Sequence, residues 1–309
     1  MEPRSADAAV PRDDAPVRAR LGAVAHSAWP VRLTWLVLPL LAGPALGDAL
    51  GDASRPVQVV ASVGLWAAWL AVLVATMVPT TVSLTALRIA APGAVAASLV
   101  ALGATGATAA GVVGVVAALC AGLAALAPET AEVFVDGSSY GDERRLPLRV
   151  PAALLLGPAE LAWAAVAAGV CAGPLLLAAR QWVAGAVALA VGAAAAVWGV
   201  RVLHALARRW LVFVPAGVVV HDPLTLVEPV LLRRAVVRSF GPAPADTSAV
   251  DLTGGASGLA LEALLTDPVS VVPVAPRRTP TELKDVTAVL VTPSRPGRVV
   301  AEARRRRIG

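Results

Sequence analysis

The chain has 309 residues, of which 57% are hydrophobic, 15% charged and 4% aromatic, with a mean hydropathy of +0.73. So apolar a composition excludes a soluble protein with an ordinary surface and makes the membrane the default environment. The net charge of +5 would suit a nucleic-acid binder, but the basic residues are spread over connections and tails rather than along one aromatic-studded face, so no nucleic-acid partner is expected.

Residues 1–30 mix Ala, Pro, Arg and Asp without periodicity and read as a disordered tail. They do not read as a cleavable signal peptide, because the apolar run begins too late. Six apolar runs follow, at 33–50, 57–78, 82–102, 105–127, 153–178 and 182–203. A spanning helix needs about 20 apolar residues, which four of these runs supply directly. The first is weaker: Leu33–Gly47 contains Pro39 and Pro44 and reaches only ~22 Å at helical rise, so a tilted span and a re-entrant segment are both open. The third contains Arg88 and Pro92; Arg88 lies near one end, where its long side chain can snorkel to the head groups.

Basic residues in short connections are retained on the cytoplasmic side. Here they sort onto alternate connections: Arg32 before the first run, Arg88 early in the third, Arg144, Arg145 and Arg149 after the fourth, and Arg201, Arg208 and Arg209 at the last exit. The opposite connections hold little more than Arg55 and Arg180. The expected location is a bacterial plasma membrane, multi-pass, with both termini cytoplasmic and the lipid bilayer as the first partner.

After Leu206 the long apolar runs give way to short β-rich ones separated by Pro and Gly, which marks a second domain at 207–309, beyond a membrane domain at 31–206. Predicted strands are Trp210–Val214, Val218–His221, Val230–Phe240, Ala249–Leu252, Leu259–Leu265, Val269–Val274 and Thr287–Val291, and Pro296 opens a helix to about Arg307. About seven strands followed by one helix is the order of a pleckstrin-homology-like (PH-like) barrel. The stretch Arg209 to Gly217, the Arg233 to Pro242 strand and the Thr292 to Arg307 ending resemble uncharacterised actinobacterial multi-pass membrane proteins with a C-terminal bacterial PH-like domain. The resemblance implies an α-helical membrane domain of about six helices plus a β-rich barrel capped by one helix, serving as a cytoplasmic interaction module. Phosphoinositide-binding PH domains carry lysines and arginines in their first hairpin turn, whereas Val214-Pro215-Ala216-Gly217-Val218 has none, so specific phosphoinositide binding is not expected.

Chemistry is sparse. The three histidines lack companions at metal-ligand spacing, and Gly254-Gly255-Ala256-Ser257-Gly258 lacks the Lys-Ser/Thr of a phosphate loop, so no catalytic residue, metal or other cofactor is expected. Glu160 is the sharpest polar candidate, a carboxylate in an apolar run just after Pro158; it reads as a proton or cation site, as a residue in the cytoplasmic third of a helix that starts late after Pro158, or as a structural partner of Arg88. The 129–149 connection carries Asp136, Tyr140, Asp142, Glu143, Arg144 and Arg145 and reads as a solvated loop docking on the C-terminal domain. Arg304, Arg305, Arg306 and Arg307 read as a contact for an anionic membrane surface or a partner, or as solvated charge at a helix end. The preferred function is a non-enzymatic scaffold or regulatory protein with a possible protein partner; the alternatives are a small transporter or channel using Glu160 and, third, an integral-membrane enzyme.

Overall fold

The computed structural model describes residues 28–274 and 282–309; the expected tail at 1–30 lies almost wholly outside the described residues. Six helices are each long and apolar enough to cross a membrane. They are α1 (Trp29–Ala49), α2 (Arg55–Met77), α3 (Thr81–Thr105), α4 (Ala109–Leu126), the α6–α7 unit and α8 (Trp182–Ala207). The short helix α5 (Pro128–Asp136) and strand β1 (Arg144–Pro147) lie between α4 and the α6–α7 unit, in which α6 (Ala152–Leu155) breaks at Gly157 before α7 (Pro158–Ala178).

The proline-containing first run is a full 21-residue helix. Pro39 has no N–H to give to the Trp35 carbonyl one turn back, and the Trp69 indole of α2 supplies the missing donor at 2.9 Å. Trp35 returns an indole bond to the Trp69 carbonyl at 3.0 Å, so the gap made by proline becomes the tie between α1 and α2. Thr80 and Thr108 cap α3 and α4 by accepting from Ser83 and Gly111 backbone N–H groups, each at 3.1 Å, and satisfy donors that hydrocarbon could not.

The α7–α8 hairpin is the most intimate helix pair. A Cβ on Gly173 would stand 2.7 Å from the Leu189 Cα, and Gly169 faces the Gly192 backbone directly. Lipid tails are as apolar as side chains, so helices in a bilayer gain most by such close approach. Gly43 and Gly47, also four residues apart, meet nothing within 4 Å.

Beyond α8 the chain forms β2 (Trp210–Val214), β3 (Gly217–His221), β4 (Val230–Arg233), β5 (Val237–Pro242), β6 (Val250–Asp251), β7 (Leu261–Val271) and β8 (Lys284–Val291), followed by α9 (Pro296–Arg305). Two four-stranded sheets result, in the orders β1-β2-β3-β4 and β5-β7-β8-β6. No ladder among the described residues closes them into a barrel. They share one core, with Leu211, Phe213, Val218 and Leu232 from one sheet, Leu261, Ala263, Val289 and Val291 from the other, and Val299, Ala303 and Ile308 from the C-terminal segment. The long strand expected at Val230–Phe240 is divided at Arg234-Ala235, two consecutive exposed residues that break the alternation and let β4 and β5 join different sheets. The two strands expected at 259–274 are one, β7, with an irregularity between Leu264 and Val269.

Strand β1 comes from the connection between α5 and α6, yet it pairs antiparallel with β2, Arg144 opposite Phe213 and Pro147 opposite Trp210. Both strands of one ladder occupy one side of a membrane, and the two crossings between them, α7 and α8, satisfy that parity.

Candidate functional site

The polar residues of the described chain gather where the helices meet the sheets. Glu132 of α5 is 4% exposed and accepts from three guanidinium groups: Arg144 Nη2 at 2.6 Å, Arg295 Nη1 at 3.1 Å and Arg298 Nη2 at 3.2 Å. Arg144 also donates from Nη1 to Asp136 Oδ2 at 2.6 Å. The other Asp136 oxygen, Oδ1, accepts from the Arg145 backbone N–H at 2.8 Å and the Ser139 hydroxyl at 2.9 Å. One carboxylate thus ties a helix on the membrane domain to the first strand of the sheet and to the first turn of α9. Hydrogen bonds between charged groups are the strong kind, and burial is tolerated because both Glu132 oxygens are engaged.

Two residues beyond β1, the Arg149 carbonyl takes part in a second joint. Arg209, 1% exposed, holds Asp222 through Nε and Nη2 at 2.8 and 2.6 Å and donates to the Arg149 carbonyl at 2.5 Å and the Thr253 carbonyl at 3.2 Å. Trp210 is buried, stacked on His221 with ring centroids 4.7 Å apart and with the Arg145 guanidinium over its ring at 5.9 Å.

Of the loop residues singled out from the sequence, Asp136, Arg144 and Arg145 enter this joint, Glu143 pairs with Arg145 at 3.1 Å, Asp142 offers its carbonyl to Arg306, and Tyr140 is exposed. Arg295, Arg298 and Asp222 were not singled out, while Glu132 entered only as one charge of the 129–149 connection and Arg209 only as a topology charge. Two signals were present: Arg295 and Arg298 lie at the N-terminal end of a helix, where the dipole disfavours cations, and the hairpin register that sets Trp210 opposite His221 brings Arg209 and Asp222 to adjoining positions.

Glu160 is exposed in the first turn of α7 and forms no ion pair with Arg88 among the described residues. Arg88 is partly buried on α3, and its Nε is sealed from the surface with no acceptor among the described residues.

The C-terminal arginines divide. Glu302 holds Arg305 at 2.5 Å and Arg306 at 2.6 Å. Burial alone would raise the Glu302 carboxyl, but hydrogen bonds from these two arginines outweigh it and keep the group below its ordinary value. Arg304 and Arg307 are exposed. Arg307 occupies a left-handed conformation, φ 54°, at the point where the Ile308 N–H closes back on the Ala303 carbonyl at 2.9 Å, a helix ending that favours glycine. Although the β2–β3 turn has no cation of its own, Arg233, Arg234, Arg305, Arg306 and Arg307 line two adjoining open grooves of about 520 and 320 Å³ beside it.

No protein family matches this chain, and neither a curated protein nor a solved structure matches it.

Proposed function

We propose that this protein is a multi-pass membrane scaffold or regulatory protein whose C-terminal domain is a PH-like interaction module on the cytoplasmic side. The observation that carries the reading is the joint itself. The domain borrows β1 from the membrane half and is clamped to α5 through Glu132, so it stands as a fixed platform on the helices. A platform of this kind presents a surface at a set height and angle, as an assembly or regulatory contact requires.

Two four-stranded sheets, antiparallel except at the β6–β8 pair, completed by a C-terminal helix support the PH-like reading, with β1 as an addition to that pattern. The cytoplasmic orientation is supported by Arg32, Arg144, Arg145, Arg208 and Arg209 at the helix ends that adjoin the sheets, against Arg55 and Arg180 at the far ends. The arginines beside the β2–β3 turn suit that face of the domain to an acidic protein partner. Glu160 at the edge of a helix, rather than along an internal polar path, weighs against the transporter reading.

The test has two arms. A photo-cross-linking residue placed at exposed Leu231 of the full chain in native membranes is expected to capture a discrete partner, with capture lost in the doubly neutralised Arg233→Gln/Arg234→Gln chain. Proteoliposomes of the full chain are expected to leak no more ions than empty ones; a flux that Glu160→Gln abolishes would overturn the scaffold in favour of the transporter.

A further inference from the structure

Among the described residues, Arg88 is the cation within an apolar helix whose side-chain Nε is sealed without a partner. One turn before it on α3, Thr85 hydrogen-bonds His204 of α8 at 2.9 Å; seven residues after it, Val95 lies beside Gly122 of α4. By helical periodicity Arg88 therefore points between those two neighbours, and α4 and α8 form no packed interface with each other. The floor of that crevice is α3.

Within it the Arg88 Nε is sealed and has no acceptor among the described residues. Pro92 has no N–H to return to the Arg88 carbonyl. Among the described residues no carboxylate pairs with Arg88, and Glu160 is committed to the exposed first turn of α7. A second cation adds to the field: Arg201 precedes His204 on α8 by the same three residues that separate Thr85 from Arg88, and it is exposed with no ion pair among the described residues. Helix side chains lean toward the N-terminus, so the Arg88 guanidinium is directed toward the start of α3. That places it roughly one to two turns inside the helix end, where the phosphate layer of a leaflet meets the protein.

We propose that Arg88, with Arg201 at the rim, binds the phosphate of a membrane phospholipid whose head group enters the crevice between α4 and α8. A planar guanidinium offers a fork matched to phosphate oxygens, and a lipid is the anion that reaches this depth without crossing hydrocarbon. The inference does not depend on the scaffold reading and stands or falls separately from it.

Native mass spectrometry of the purified full chain in detergent, titrated with phosphatidylglycerol, with a phosphate-free glycosyl diacylglycerol and with inorganic phosphate, tests it. Wild type is expected to retain phosphatidylglycerol in preference to the glycolipid. Arg88→Leu is expected to weaken that retention about tenfold, Arg88→Lys to restore part of it, and Arg201→Gln to weaken it less. Equal retention of both lipids by wild type overturns the proposal even if Arg88→Leu fails to fold. Saturable binding of inorganic phosphate that displaces the lipid overturns the lipid as the source.

Discussion

Between α7 and α8 the chain brings two backbones together with glycine and almost no polar contact, whereas at the joint of α5 with α9 it buries a carboxylate and surrounds it with three guanidinium groups. The difference follows from the solvent on each side. In a bilayer, burying an apolar side chain against another gains little over lipid, so contact must come from shape. Outside it, apolar burial builds the two-sheet core, and charges can be buried where all their partners arrive together. Arg88 departs from both rules, neither removed from the membrane half nor satisfied within it.

This contrast can be broken first at Arg209. Arg209→Ala leaves Asp222 buried without its partner and strips two carbonyls of their donor; a loss of about 3 to 5 kcal/mol is expected, read as a large fall in the thermal midpoint of the purified chain. A smaller response is expected from Glu132→Gln, about 2 to 3 kcal/mol, because Arg144 keeps Asp136. Faster trypsin cleavage after Arg144 or Arg298 would report the loosened joint, and an unchanged digestion pattern would show that the clamp is dispensable.

On the membrane side, Gly173→Leu should cost about 1 to 3 kcal/mol by forcing α7 away from Leu189, while Gly43→Leu, which meets open space, should be close to neutral. Equal effects of the two would mean that close approach does not hold the α7–α8 pair. Relief rather than damage is expected from Arg307→Gly, a gain of about 1 kcal/mol as the left-handed strain is removed, visible as a small rise in melting temperature.

The smallest effect concerns pH. Glu302 has a folded-state value below its ordinary one, so its contribution is fully present above the unfolded value and is lost as pH falls through the folded one. The stability difference between wild type and Glu302→Gln should therefore hold near neutrality and shrink below about pH 4; a gap that widens on acidification would contradict the pairing with Arg305 and Arg306.

Much of the membrane half was legible because twenty-residue apolarity is a strong signal that needs no partner to be read. The helix at α1 was the exception, since its two prolines shorten the apparent run and the indole that compensates Pro39 belongs to Trp69, 34 residues from the Trp35 carbonyl it binds. Strand β1 was illegible for another reason: Arg-Arg-Leu-Pro shows no alternation, and it is a strand only because β2 offers it an edge. The loop around Asp136 and Arg144 could be picked out by charge density, but the role of Glu132 could not, because Arg295 and Arg298 reach it across 163 and 166 residues. Sequence spacing carries local pairs such as Arg209 with Asp222 and is silent on distant ones.

The borrowed strand also sets an order of events during synthesis. β1 leaves the ribosome before α7 and α8, and β2 after them, so the sheet can be completed only once that hairpin has threaded the bilayer and returned. A chain whose hairpin stalls leaves β1 and β2 on opposite sides, with an unpaired edge exposed to quality-control proteases. The same reasoning bears on protein dissection: a fragment starting at residue 208 would lack its first strand, whereas one that carries the 128–149 segment ahead of residue 208 would supply it.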